Sequence, residues 1–294
     1  KIYAATKPAA LIHSWAPGKN PFGEEFHRMA ITLEAMTGNI GIHGGSAGTN
    51  LAYPVRMGSL PEGENPLETS IKTDKWADCI LQGRSGGYPC DIKMMCVVGG
   101  NPLNQTVNIN KSVRALHSLE FLVVHEQFMT PTAKFADILL PVTSNFEQND
   151  IYLPWMRGRY AIYNNKVIEP MYECRSDLEI FTELAKRLGI QDYNLYTEDE
   201  WLRSFVKESD IPDYEEFKRK GFWKFNLSEP WVAFKKQIDA PENNPFSTPS
   251  GKIEIYSETL AKMDFKNSKY GAYIPAIPEY RVAWENANDP LTKK

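Results

Sequence analysis

Hydrophobic positions along this chain fall into two periods. Between Asp91 and Pro141 they come in short unbroken runs: Ile92–Val98, interrupted only by Lys93, then Phe121–Val124, then Ile138–Leu140. Short apolar runs without alternation belong to strands covered on both faces, as in a parallel sheet. Between the first two runs, Ile109, Val113 and Leu116 recur at helical spacing. The pattern predicts strand, loop, helix, strand, loop, short helix, strand. A βαβ unit of this kind places its ligand at the carboxyl ends of the strands. Here those ends carry Gly99-Gly100-Asn101 and His125-Glu126.

The rest of the chain predicts a mixture of elements. Ala9–His13 reads as a short strand opening into a turn-rich loop, Ser14–Asn20. A helix is expected from about Gly23 to Met36, burying Phe26, Met29, Ala30 and Leu33 and stopping near Gly38. Thr73 or Asp74 is placed to cap a short helix through Leu81. Arg159–Tyr163 and Lys166–Ile168 read as a hairpin turning at Asn164-Asn165. Ser176 with Glu179, and Thr197 with Glu200, are capping boxes. The first opens a helix expected to bury Leu178, Phe181, Leu184 and Leu188; the second opens one with Leu202, Phe205 and Val206. The stretch that follows to Ala240 reads as helical and aromatic-rich. Ile253–Tyr256 reads as a strand, and Ser257-Glu258 as the start of a last short helix. Beyond Tyr270 the chain turns Pro-rich and polar, as linkers do.

Composition narrows the function classes. The chain has 294 residues, enough for one large domain or two ordinary ones. Net charge is −4 with scattered basic residues, which argues against nucleic acid as a partner. No apolar run approaches the roughly 20 residues of a membrane helix. Cys79, Cys90, Cys96 and Cys174 show no C-x-x-C spacing, so neither a zinc nor an iron–sulfur site is expected within these residues. Cys96, inside the first strand, is expected to be a buried small hydrophobe. The chain opens in mid-pattern and is expected to be an internal piece of a longer polypeptide.

Candidate chemistry is sparse. A glycine pair after a buried strand lets a ligand reach backbone N–H groups, and the following helix offers the positive end of its dipole. Gly99-Gly100-Asn101 is therefore either a nucleotide or phosphorylated-cofactor site or a tight turn with nothing bound. His125-Glu126 suits hydrogen bonding at a strand end better than catalysis. Glu147 and Asp150 read as a solvated loop rather than an acid–base pair. His13, His27, His43 and His117 read as surface or capping residues.

Five stretches resemble one family. They are Trp15–Lys19 with the following helix and Thr37–Gly45 (TGNIGIHGG); Val97–Gln105 (VVGGNPLNQ); Val123–Pro141 (VVHEQFMTPTAKFADILLP); the Glu147 loop with GRYAIYNNKVIEP and the helix after Ser176-Asp177; and Phe246–Ser257 (FSTPSGKIEIYS). In this order they resemble the molybdopterin oxidoreductases of the dimethyl sulfoxide reductase family. The wording is most similar to the membrane-associated anaerobic dimethyl sulfoxide reductase catalytic subunits. Thiosulfate, polysulfide and tetrathionate reductases are the alternatives within the family.

The resemblance implies an α/β fold, a mostly parallel, Rossmann-like sheet flanked by helices, with a mainly helical addition. It divides the chain into residues 1–50, the end of one cofactor-binding domain; 51–190, a guanine-dinucleotide-binding domain; 191–275, a helical or irregular segment; and 276–294, a linker. It implies a bis(molybdopterin guanine dinucleotide) molybdenum cofactor and oxygen-atom transfer coupled to two electrons. Trp15 and Lys19 would touch the pterin side. Asn101 would contact the guanine nucleotide, with Gly100 leaving room. His125 and Glu126 would lie where guanosine binds, and Asp177 would accept from guanine; equally, Asp177 is a favourable first-turn acid. Gln148 matches a position where such enzymes place Lys near the nucleotide, and a neutral Gln cannot neutralise phosphate.

The family's cluster-binding cysteines, for a [4Fe-4S] centre, and its molybdenum ligand lie upstream of this region, so the isolated 294 residues are expected to be inactive. The implied partners are the remainder of the polypeptide, an iron–sulfur electron-transfer subunit and a membrane anchor subunit. The implied setting is bacterial anaerobic respiration, at a periplasmic or membrane-associated location. Part of the sheet around Asp91–Pro141 is expected from the rest of the polypeptide, leaving apolar edges here that invite self-association. Two other classes stay open: a nucleotide-binding module without molybdenum chemistry, and a structural subunit that docks electron-transfer partners.

Overall fold

A computed structural model of the chain describes residues 1–46, 55–64, 67, 69–154, 158–265 and 273–283. The chain divides into two compact units. One comprises Lys1–Pro54, Pro154–Arg159 and Asn226–Lys294; the other comprises Val55–Leu153 and Tyr160–Phe225.

The first unit opens with α1 (Ile2–Ala5) and a 3-10 turn at Ala16–Lys19, then α2 (Glu24–Met36). Gly23 precedes α2 for a steric reason: a Cβ there would sit 1.8 Å from the Pro17 carbonyl oxygen. Two sequence expectations fail in this unit. Ala9–His13 forms no strand. Its backbone donors go to side chains instead, Ala9 N–H to Asn39 Oδ1 and Leu11 N–H to Ser46 Oγ. The expected face of α2 is right at Ala30 and wrong at Phe26 and Leu33. Phe26 and Leu33 are exposed, whereas Glu25, Ala30 and Glu34 are buried. The buried acids are satisfied, Glu25 by Arg28 at 2.7 Å and Glu34 by the Ser46 hydroxyl at 2.6 Å. Such pairing is what allows carboxylates inside.

The second unit carries α3 (Trp76–Gln82), β1 (Met94–Val98), the single turn α4 (Pro102–Gln105), α5 (Ile109–Ser118), β2 (Phe121–Glu126) and β3 (Ile138–Pro141). The strands form a parallel sheet in the order β1-β2-β3, with Val98 beside His125 and His125 beside Leu140. One face is sealed: Val97, Leu103, Leu116, Leu122, Val124 and Ala133 form a continuous core under α4 and α5. Cys96 points the other way and is exposed, against expectation, because alternate residues of a strand face opposite sides. At α3 the N-cap is Lys75, with no side-chain cap from Thr73 or Asp74.

A second sheet, antiparallel, joins β4 (Asp150–Tyr152), β5 (Tyr160–Asn164) and β6 (Phe222–Lys224) in that order. The predicted hairpin is absent. Lys166–Ile168 binds the loop before β4 instead: Lys166 N–H donates to Asn149 Oδ1, and Val167 and Ile168 N–H donate to the Phe146 carbonyl.

Three helices complete the unit: α6 (Asp177–Arg187), α7 (Glu198–Lys207) and α8 (Tyr214–Lys220). Both capping boxes form as expected. The apolar stripe of α6 does not sink, however. Leu184 and Leu188 are 48% and 67% exposed, and Ala185 is the buried residue. A second core gathers Ala161, Tyr163, Leu202, Val206, Ile211, Tyr214, Phe217 and Phe225. The chain then returns to the first unit with α9 (Lys235–Asp239) and α10 (Glu258–Ala261), the latter capped by Ser257. Ile253–Tyr256 is not a strand, because the preceding turn closes on itself through Ser250 N–H to Glu254 and Thr248 Oγ to the Lys252 carbonyl.

Asp199 on α7 accepts from Lys218 at 2.6 Å, Tyr214 at 2.8 Å and Arg203 at 2.8 Å. These donors, Lys218 foremost, hold its carboxyl well below the ordinary carboxylate range. A depressed folded-state pKa gives stability that is present above the unfolded value, about 4, and lost as pH falls below it. Asp199→Asn is therefore expected to flatten the acid limb of the stability curve below about pH 4 while leaving the shape at neutral pH unchanged. Hydrogen-exchange protection of the α7 and α8 amides across pH checks this; an unaltered acid limb would refute it.

Candidate functional site

The carboxyl end of β2 meets α6 at its first residues. His125, next to last in β2, is almost fully buried, its Nδ1 2.8 Å from Asp177 Oδ1. With the carboxylate ionised, the histidine nitrogen is the donor. The ring also packs on Phe181, 5.2 Å between centroids. His125 thus anchors Asp177, the first residue of α6, at the mouth of the sheet. About half of the Asp177 side chain stays exposed, so its other lone pairs face outward.

Beside it, β1 runs into Gly99-Gly100-Asn101. Gly99 takes φ +59, a conformation natural to glycine. Gly100 has no positive φ, and a Cβ there would meet nothing closer than 3.7 Å. Asn101 Oδ1 accepts from the Thr132 hydroxyl at 2.7 Å, and Thr132 Oγ in turn accepts from Leu103 N–H. Thr132 is fully buried. It rivets the β1 turn to the loop after β2, a role with no signature in the sequence. One expectation is corrected: the helix after Asn101 is the single turn α4, too short to offer a useful dipole end.

Glu126 does not reach outward. Its Oε1 accepts from Gln127 N–H and more weakly from Phe128 N–H, turning the chain out of β2. Glu147 is likewise no solvated acid. It is buried and accepts from the Ser144 N–H, the Ser144 hydroxyl and Met171 N–H. Those bonds lower its pKa and spend its oxygens on loop structure. Burial pushes the Asp150 carboxyl up.

Two of the expected residues share a cleft. Gln148 and Asp177 both line a space of ≈430 Å³ walled by the N-terminal turns of α6 and α7. Gln148 Oε1 accepts from the Thr143 hydroxyl at 2.7 Å. Tyr196, Trp201 and Phe205 supply an aromatic wall. The indole nitrogen of Trp201 is tied to Asn194 at 2.9 Å, and its ring meets Tyr196 edge-on. Asp150, Glu179 and Glu198 add carboxylates to Asp177, and no lysine or arginine is among the described lining residues. A cleft with acids and aromatics but no cation suits a flat ring with N–H donors and is hostile to phosphate. The sequence signalled Asp177 and Gln148 only by resemblance, and the aromatic wall not at all.

Trp15 and Lys19 lie in the first unit, flanking the Ala16–Lys19 turn, both exposed. Among the described residues no group of three or more His, Cys, Asp or Glu could hold a metal.

A family model described as molybdopterin oxidoreductase matches residues 1–187, well over half the chain. The chain belongs to the molybdopterin oxidoreductase family. Among curated relatives, it is 37% identical over 317 residues to the dimethyl sulfoxide reductase DmsA of Escherichia coli (strain K12), covering 99% of this chain and 39% of that protein. It is 31% identical over 309 residues to a trimethylamine-N-oxide reductase of Haemophilus influenzae, covering 90% and 37%. Similarity to the dimethyl sulfoxide/trimethylamine N-oxide reductase of Rhodobacter capsulatus is 30% over 334 residues, covering 98% and 39%. The chain therefore spans about two fifths of the length of these relatives. Acetylene hydratase from Pelobacter acetylenicus shares the fold, with a TM-score of 0.53 at 22% identity over 73% of this chain and 27% of that one. The family is enzymatic, and its fold is the α/β arrangement expected, a parallel sheet flanked by helices.

Proposed function

We propose that this chain is part of the catalytic subunit of a molybdenum oxidoreductase that reduces an oxo-acceptor such as a sulfoxide, and that its second unit holds the guanine dinucleotide end of the cofactor. The observation that carries the reading is the cleft shared by Asp177 and Gln148. Its chemistry fits a guanine: the exposed Asp177 oxygen can accept from N1–H and the 2-amino group, and Trp201 and Tyr196 offer apolar surface to the ring. Gly100 fits as well, since the space over it is open to a passing diphosphate or ribose.

When bound, the molybdenum centre would supply two-electron oxygen-atom transfer. The residues here would do the holding. His125 keeps Asp177 in place, Thr132 keeps the Gly100 turn in place, and Asn101 is left with its amide nitrogen for the nucleotide. Trp15 and Lys19 would serve the pterin end. In the whole protein, electrons would arrive through a [4Fe-4S] cluster from an iron–sulfur subunit held by a membrane anchor, at a periplasmic or membrane-associated site. The resting assignment is the bis(molybdopterin guanine dinucleotide) form.

Gly100→Ala tests the reading without disturbing the fold. A methyl group there touches no protein atom closely, so thermal stability is expected to hold or rise slightly. Binding of guanosine diphosphate to the cofactor-free whole protein should fall. If binding is unchanged, or adenosine diphosphate binds equally well, the nucleotide assignment is wrong.

A further inference from the structure

The second unit holds a pair of cysteines that cofactor binding leaves unused. Cys79 lies in α3 with no exposure to solvent, and Cys90 lies partly exposed in the loop that leads into β1. Eleven positions separate them, yet Cys79 Sγ comes within 3.9 Å of the Cys90 carbonyl oxygen. The Cys90 side chain is within hydrogen-bond reach of the same sulfur.

The loop builds this approach, not the thiols. After α3 the chain turns back through Gly83 and Gly87, at φ +51 and +84, values natural to glycine. Tyr88 N–H donates to the Gly83 carbonyl at 3.1 Å, and Asp91 Oδ1 accepts from Arg84 N–H at 2.8 Å. A Cβ at Gly83 would sit 2.0 Å from Asp91 Oδ1, so the arms of the loop pass too closely for another residue there. These contacts carry Cys90 back against α3 whatever the state of the sulfurs. Packing as a small hydrophobe accounts for Cys79, but not for a partly exposed Cys90 turned onto it.

The two sulfurs differ in what they can do. The thiolate is the attacking form. Burial above all, and then Cys90, push the Cys79 thiol up, so Cys79 stays protonated and shielded. Cys90 is the one that a reagent reaches. Its thiolate attacks one sulfur of an external disulfide, whose S–S bond breaks and whose other half leaves as a thiolate. The Cys79 sulfur then passes its proton to that thiolate, attacks Cys90 Sγ and expels the second half. Two protein thiols are oxidised, and the external disulfide is reduced to two thiols.

We propose that Cys79 and Cys90 are a thiol–disulfide site, open to an external disulfide at Cys90, whose oxidised form ties α3 covalently to the lead-in of β1. Cys96 and Cys174 take no part. The site does not depend on which cofactor the chain holds.

The test treats the native full-length protein, reduced and kept free of oxygen, with glutathione disulfide. Remaining thiols are then blocked with N-ethylmaleimide in denaturant, and the peptides are mapped by mass spectrometry. The expected product joins Cys79 to Cys90, with neither residue alkylated. Glutathione left on Cys90 beside an alkylated Cys79, a bond from either residue to any other cysteine, or alkylation of both overturns the proposal. Cys79→Ala, which keeps a small apolar group in α3, gives a second reading. Cys90 should then retain glutathione as a stable mixed disulfide, and an unmodified Cys90 overturns its assignment as the reactive sulfur. The wild-type map decides the pair even where the variant does not fold.

Discussion

Asp177→Asn is expected to weaken guanosine diphosphate binding to the cofactor-free whole protein by about 10- to 100-fold, the equivalent of about 1.5–3 kcal/mol for hydrogen bonds to a charged group. The loss should fall on guanosine diphosphate more than on inosine diphosphate, which lacks the 2-amino donor. The reasoning starts from His125. Its buried Nδ1 holds one carboxylate oxygen at 2.8 Å, fixing the side chain while leaving it half exposed at the cleft. Asparagine keeps an oxygen for His125, so the anchor survives. It replaces the outward acceptor, in one orientation, with an NH₂ group that opposes the guanine donors. The effect on folding should be small, since Asp177 is worth about 0.3–1 kcal/mol as a first-turn acid. Titration calorimetry with both nucleotides decides it. Equal affinity of the wild type and the variant would remove Asp177 from the nucleotide site.

The second large effect concerns the wall of that cleft. Phe217→Ala is expected to cost about 3–5 kcal/mol, the range for an aromatic truncated in a core. Phe217 has no exposure and meets Tyr163 edge-on, 5.6 Å between centroids. Around it lie Leu202 and Val206 of α7 and Ala161 of β5. Those neighbours set where α7 stands, and α7 carries Trp201 into the cleft. A whole protein of several domains does not unfold in one step, so hydrogen exchange is the better measurement. Amides of β5, α7 and α8 should lose protection while those of β1 and β2 keep theirs. Phe217→Leu, which refills most of the volume, should lose less. Unchanged protection in α7 and α8 would show that this core does not hold the wall.

Local rules were readable wherever the interaction is local. Ser176 with Glu179 and Thr197 with Glu200 close their capping boxes because both partners lie within one helical turn. The apolar runs of β1, β2 and β3 marked a parallel sheet because strands between two layers have little room for polar residues. The same reasoning failed where burial depends on a distant neighbour. Glu34 is buried because Ser46 donates to it, and Phe26 is exposed although its spacing is that of a core residue. Periodicity reports a stripe, not the partner that covers it.

Sequence alone determined the family, through ordered stretches such as Val97–Gln105 and Val123–Pro141, and with it the order of strand, turn and helix around Gly99-Gly100-Asn101. Tertiary structure decided the rest. It set Asp177 against His125 across 52 positions, and it bound Thr132 to Asn101 across 31. It also gave Gln148 and Asp177 a common cleft with Trp201, and it left Met94, Cys96 and Ile138 exposed on one face of the sheet. The physical reason is the same in each case. Hydrogen bonds and apolar contacts form between groups that folding brings within a few ångströms, and spacing along the chain carries no record of that distance.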